Sequence, residues 1–223
     1  VQPLLVELEP GSSGSIRVEN TRSTPLTVEV SITRRSVDEH GQQTRTPADD
    51  DFVVLPPQLV IAPGRVQVVR LQWVGDTPPT QSISYYANLR EVPVALAPTQ
   101  GGAQVQLAFA FDIAVQLIPH GARADLSLVN AEVGRDAHGA PTAHLTIQNA
   151  GTRYAYLQNA TYDLEALDRA GAVIGHPTFT EEQLTEAIGV TLLEPGKRRI
   201  IDLPLGNLAN AASLRGRVRA GSS

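Results

Sequence analysis

The sequence contains no cysteine. That excludes a disulfide framework, a thiolate metal site and a cysteine nucleophile, and leaves the redox compartment open. Lysine is almost as scarce, with Lys197 the only one among 18 basic residues. Such usage points to a GC-rich genome more than to chemistry. No stretch approaches the roughly eighteen consecutive apolar residues of a membrane-spanning helix, so no membrane insertion is expected. The start at Val1 shows no basic segment followed by an apolar one, so any targeting segment is expected to be gone already. Net charge is −5, from 23 acidic and 18 basic residues. That balance argues against a nucleic-acid surface.

Motifs of catalysis are missing as well. There is no G-x-G-x-x-G, no Walker loop, no H-E-x-x-H and no G-x-S-x-G. His40, His120, His138, His144 and His176 are scattered without metal spacing. His138 and His144 flank a turn and are the one pair placed to face each other. The run Asp49-Asp50-Asp51 lacks the Gly and Glu of a calcium loop and reads as solvated charge. Gly11-Ser12-Ser13-Gly14-Ser15 reads as a hairpin loop. The expectation is a protein that is not an enzyme and holds no metal and no cofactor.

What the chain does have is alternation. From Gln104 to Pro119, Val105, Leu107, Phe109, Phe111, Ile113, Val115 and Leu117 fall on one side of a period-two ribbon. Gln106, Ala108, Ala110, Asp112, Ala114 and Gln116 fall on the other. Strands usually run about five or six residues, so this one is longer than its own sheet needs. It either crosses two sheets, pairs with something outside the molecule, or is a long core strand closing a sandwich.

Shorter alternating segments fill the rest: Leu4–Glu9, Ser15–Asn20, Pro25–Thr33, Arg65–Trp73 and Ile83–Val92 before it, and Ala143–Gln148, Arg198–Leu203 and Leu214–Arg219 after it. Arg34–Asp51 reads as a polar connection with a turn at Glu39-His40-Gly41. Phe179–Ala187 reads as one short helix or a loop. Tyr85, two residues before Ala87, fits a tyrosine corner packed on backbone. His120-Gly121-Ala122 reads as a linker. The two halves echo each other. A Pro-Gly turn before an alternating strand recurs at Pro10-Gly11, Pro63-Gly64 and Pro195-Gly196, and a strand ending in Asn recurs at Ile16–Asn20 and Leu145–Asn149. Six or seven short strands per roughly 100 residues is the pattern of an immunoglobulin-like sandwich. The fold expected is all-β, with two such sandwiches in tandem over 1–119 and 120–223.

Three blocks then suggest a family. They are Pro56-Pro57-Gln58-Leu59-Val60-Ile61-Ala62-Pro63-Gly64, then Val69-Arg70-Leu71, then Tyr85-Tyr86-Ala87-Asn88-Leu89-Arg90-Glu91-Val92-Pro93. In that order, with the long strand after them, they resemble the periplasmic pilus-assembly chaperones of the PapD type, from about residue 4 to 119. The resemblance implies two immunoglobulin-like domains in an L shape. It implies a periplasmic chaperone for pilin subunits that lack their last strand, and an outer-membrane usher that receives them.

It also implies a donor strand over 104–118, whose Val105, Leu107, Phe109 and Phe111 fill the pilin groove. Self-association through that exposed strand stays open. The family's best-known branch anchors the pilin carboxylate with an Arg in the first strand and a Lys late in the donor strand; here those positions hold Val6 and Ala114. Its inter-domain ion pair is replaced by Ser82 and Ile118, and its second-domain disulfide cannot form. These departures resemble the archaic or alternative branch that serves spore-coat-like pilins. Arg90, near the end of its strand and on the face opposite Leu89, is the candidate carboxylate anchor; the bland reading is a surface arginine paired with Glu91 or another neighbour. The competing function is a tandem immunoglobulin-like adhesion or structural module of a surface protein.

Overall fold

The computed structural model describes residues 1–92, 108–208 and 210–221. It is built almost wholly of strands. They group into two compact units. The first comprises Val1–Arg35, Arg45–Pro79 and Ile83–His120; the second comprises Ser36–Thr44, Thr80–Ser82 and Gly121–Ser223.

The first unit is a sandwich of two sheets. Its strands are β1 (Leu5–Leu8), β2 (Ser13–Glu19), β3 (Leu26–Val37), β4 (Gln43–Pro47), β5 (Phe52–Leu55), β6 (Gln58–Ile61), β7 (Val66–Trp73), β8 (Ile83–Glu91) and β9 (Ala110–Leu117). One sheet runs β1-β9-β8-β3-β4, with β6 also on β3; the other runs β2-β7-β5. The alternation seen in the sequence sets the faces. Leu26, Val28, Val30 and Ile32 of β3 meet Tyr85, Ala87 and Leu89 of β8 and Val69, Leu71 and Trp73 of β7 in one core. Each Val, Leu or Ile among them contributes about 1.5–3 kcal/mol by leaving water. Phe52 and Tyr85 pack edge to face at 5.0 Å.

Four local expectations are corrected. The polar connection over 34–51 contains strand: β3 continues to Val37 and β4 follows the turn. All five residues of β4 are exposed, so no apolar period marks it. The Gly11–Ser15 run is not a hairpin loop. Ser13 already begins β2, and β1 and β2 lie in different sheets, so the turn carries the chain across the sandwich. Tyr85 donates its hydroxyl to Asp51 Oδ2 at 2.9 Å rather than to backbone. Burial pushes its phenol up to about 12, and the Asp51 bond adds to that. Asp49 Oδ1 accepts the Ile32 amide at 2.6 Å. Two of the three acidic residues therefore brace the fold instead of facing only solvent.

The second unit carries β10 (Leu126–Arg135), β11 (Pro141–Asn149), β12 (Ala155–Tyr156), β13 (Thr161–Leu167), β14 (Val173–Gly175), the helix α1 (Glu181–Ile188), β15 (Leu192–Leu193), β16 (Arg198–Pro204) and β17 (Ser213–Arg219). Its sheets run β10-β11-β16, β12-β15 and β14-β13-β17. Leu145, Ile147, Leu164, Leu203 and Val218 lie at the centre of its core. The helix exists because Thr180 caps it. Thr180 Oγ1 accepts the Gln183 amide at 3.2 Å while Gln183 Oε1 accepts the Thr180 amide at 2.9 Å. His144 does not turn toward His138; its Nδ1 lies 2.6 Å from Asp202 Oδ1.

The echo between the halves has a physical basis. Asn20 and Asn149 are both fully buried. Asn20 Nδ2 donates to Thr24 O and Ile61 O, each at 2.8 Å, and Asn20 Oδ1 accepts the Arg22 amide at 3.0 Å. Asn149 repeats the arrangement with Arg153 O at 2.8 Å, Leu193 O at 3.3 Å and the Gly151 amide at 3.0 Å. In both cases the asparagine backbone carbonyl also accepts the amide of the Pro-Gly turn, Gly64 at 2.9 Å and Gly196 at 2.8 Å. Those two glycines have φ of 66° and 73°, where an L side chain is strained. Each unit is thus stapled at the same place by a buried amide. Asn20→Ala removes three side-chain bonds and should cost about 2–4 kcal/mol in denaturant titration, whereas a loss below about 1 kcal/mol would show the staple to be redundant.

Candidate functional site

The candidate site is the exposed end of β9. This strand changes character along its length. Ile113, Val115 and Leu117 are fully buried, while Phe111, on the same face, is 43% exposed. Phe109 is half-buried against the edge of the core and packs on Phe111 at 5.3 Å. The core therefore covers the last half of the apolar stripe and leaves its beginning partly open.

The backbone changes in step. On one edge β9 pairs antiparallel with β8 from Ala110↔Arg90 to Leu117↔Ile83. On the other edge β1 pairs with it in parallel only from Leu5↔Ala114 to Leu8↔Leu117. The Ala114 amide donates to Leu4 O at 3.1 Å. By the period of two, the amides of Asp112 and Ala110 point to that same side, beyond the end of β1. Among the described residues no strand pairs with residues 110–113 on that edge. An open edge beside partly covered aromatic side chains is a template for another strand.

The start of this strand is clamped. Glu91 Oε2 accepts the Phe109 amide at 3.0 Å, and Glu91 Oε1 binds Arg22 at 2.6 Å. The Arg22 guanidinium in turn lies over the Phe109 ring at 5.8 Å. The Glu91 side chain is only 14% exposed, so the pair is better shielded than a surface ion pair. No sequence pattern announces this clamp, because Arg22 and Glu91 are far apart in the chain and neither belongs to an apolar period.

The opposite face of the same sheet is cationic. Tyr86 has the Arg35 guanidinium 4.9 Å from its ring centre and that of Arg45 at 4.3 Å. Arg45 also binds Asp112 at 2.6 Å. Asn88, almost fully buried, donates to Ser31 O at 3.2 Å and to Thr33 Oγ1 at 3.1 Å. Arg90 lies on this face, exposed, opposite Glu29 and Ala110 in register. It makes no ion pair among the described residues, and Glu91 is engaged by Arg22. The guanidinium of Arg90 is thus available to an anion.

Of the residues expected to form the donor strand, Phe111 stands on β9 with Phe109 packed on it just before the strand begins, and Val105 and Leu107 lie outside the described residues. Val6 is buried in the core opposite Val115, and Ala114 lies between β1 and β8. Among the described residues no cluster of three or more His, Asp or Glu is arranged to hold a metal.

Residues 4–123 match the family described as pili and flagellar-assembly chaperone, PapD N-terminal domain. The chain belongs to that family of assembly chaperones. Membership agrees with the expectation of a protein that is not an enzyme. No curated protein matches the sequence. Among solved structures, the class 5 fimbriae chaperone CfaA is similar at 13% identity and TM-score 0.59, covering 99% of this chain and 97% of its own. A chain of the complex of the Salmonella enterica SafA pilin with the SafB chaperone is similar at 15% identity and TM-score 0.54, covering 99% and 90%. A chain of the CsuC–CsuE chaperone–tip adhesion subunit complex, from the archaic chaperone-usher Csu pili of Acinetobacter baumannii, is similar at 11% identity and TM-score 0.54, covering 90% and 87%. At such identities the likeness is one of fold, that of the two-domain immunoglobulin-like chaperones.

The clamp is testable in the free protein. Glu91→Ala should speed amide exchange at Phe109 and cost about 1–2 kcal/mol of stability, from the lost charged hydrogen bonds. Unchanged exchange at Phe109 would show that the strand start is held by its ladder alone.

Proposed function

We propose that this chain is a periplasmic chaperone that binds pilin subunits lacking their last strand and completes them by lending the donor strand over 104–118. The N-terminal domain, 1–119, carries that strand, and 120–223 forms the second immunoglobulin-like domain. The observation that carries the reading is the half-paired state of β9. Among the described residues, 110–113 keep one open backbone edge beside the partly exposed Phe109–Phe111 pair. A subunit short of one strand presents the complement, an open edge and an apolar groove. An added strand supplies main-chain hydrogen bonds, and alternate side chains fill the groove. Val105, Leu107, Phe109 and Phe111 together bring roughly 6–12 kcal/mol of gross apolar burial. Association entropy offsets much of that.

Membership of the PapD family supports delivery of the subunit to an outer-membrane usher, and similarity to structures containing a pilin or a tip subunit supports the client class. Val6 and Ala114 in place of the usual Arg and Lys favour the archaic or alternative branch.

Phe111→Arg tests the donor strand. Phe111 is 43% exposed, so the melting temperature should stay within a few degrees of wild type. Co-purification with a co-expressed pilin should be lost, because the groove would have to take a charge. Retained co-purification, or unfolding of the variant, would contradict the assignment of this face to the client.

Arg90 is the proposed anchor of the client's C-terminal carboxylate. It is a cation in no ion pair among the described residues, on the open face of β8, and guanidinium recognises carboxylate with two parallel bonds. Arg90→Ala should weaken binding of the native client by at least about tenfold. A client extended by two residues should bind poorly to wild type and variant alike. Equal binding of the native client to both proteins would rule Arg90 out.

A further inference from the structure

The second unit carries a groove that the chaperone reading does not use. It has a volume of about 830 Å³ and lies between β14, the loop after it, α1 and the end of β16. Its apolar lining includes Ile174, Phe179, Leu205 and Leu208. Phe179 is held edge to face on Tyr162 at 6.1 Å, and Leu208 closes directly under Gly175, where a Cβ would come within 2.6 Å of it. The lining is therefore fixed by packing rather than filled by its own side chains.

Its charge is of one sign. Asp136, Glu186 and Asp202 line the groove, and no Lys or Arg does among the described residues. Backbone N–H bonds, that from Ala140 first, hold the Asp136 carboxyl below its usual range, so it stays ionised at neutral pH. Glu186 is exposed on α1 and makes no ion pair among the described residues. The basic groups near these carboxylates are imidazoles: His144 at Asp202, His138, whose amide also donates to Asp136 Oδ1 at 2.8 Å, and His176 in the lining itself.

The groove wall is also a sheet edge. β14 pairs with β13 through Gly175↔Ala166 and Val173↔Leu167, and among the described residues its other edge pairs with no strand. Val173 and Ile174 stand exposed there, at 43% and 39%. Apolar side chains beside an unpaired backbone mark a surface that accepts a strand.

We propose that this groove is a docking site for an extended, basic peptide segment of a partner protein. Main-chain hydrogen bonds form along β14, alternate apolar side chains rest on Phe179 and Leu208, and Lys or Arg side chains meet Glu186, Asp202 and Asp136. A negative rim over an apolar floor selects that composition against an acidic strand. The inference is independent of the donor strand, since no residue of β9 takes part.

The test uses the full chain and a capped hexapeptide of alternating lysine and valine. Titration followed by amide NMR should shift residues 173–179 and α1. Glu186→Lys, a change at an exposed helix position, should weaken the peptide by about tenfold without lowering the melting temperature. The glutamate–valine counterpart and the peptide N-methylated at alternate residues should not bind. Shifts elsewhere, no shifts at millimolar peptide, equal binding by Glu186→Lys, or equal binding of the N-methylated peptide would each overturn the proposal. Spermidine matching the peptide in affinity and shifts would overturn it too, leaving only a small-cation site.

Discussion

The parallel pairing of β1 with β9 is the constraint on which the first unit depends. It stops at Leu5↔Ala114, so β9 is locked between two strands for four residues and, among the described residues, bound on one edge only before them. Where both edges are paired, Val115 and Leu117 are sealed in the core, and Ile113 just before them is buried as well. Where one edge is open, Phe111 stands 43% exposed and Phe109 half-buried. A strand with an open edge and apolar side chains invites uncontrolled pairing. The chain answers locally. Glu91 holds the Phe109 amide and Arg22 together, and Arg22 covers the Phe109 ring. The strand is thus anchored at both ends of its half-open segment yet left available along it.

This division matches the duties of an assembly chaperone. A rigid strand position reduces the entropy that must be lost on binding. In the proposed complex, a free backbone edge would supply hydrogen bonds that do not depend on client sequence, while Phe109 and Phe111 would select for an apolar groove. The cationic opposite face, with Arg35 and Arg45 on Tyr86 and with Arg90 in no ion pair among the described residues, provides charge close to the same strand.

Much of this was legible in the sequence where burial has a period. The alternation of Leu26–Ile32, Val69–Trp73 and Ile113–Leu117 reported both strand and inward face, because one side of each must leave water. The repeated Pro-Gly turns and strand-ending asparagines reported the tandem architecture, since Asn20 and Asn149 staple equivalent turns. Features carried by polar groups were not legible. β4 has no buried residue to mark it. Asp49 and Asp51 looked like solvated charge because their partners, Ile32 and Tyr85, are distant in the chain. The Glu91–Arg22 clamp and the Arg45–Asp112 pair were hidden for the same reason. Nor could the period of two tell where along 104–118 the core stops covering the stripe. That point is set by where β1 ends, a matter of pairing and not of composition.

The central claim is that the open edge of β9 receives the client strand. Amide hydrogen exchange at Ala110 and Asp112, compared for the free chaperone and its complex with a pilin lacking its last strand, tests it most directly. Both amides should exchange readily in the free protein and become strongly protected in the complex, because they gain main-chain acceptors on the client. Exchange at both positions that is unaltered by a bound pilin would contradict it.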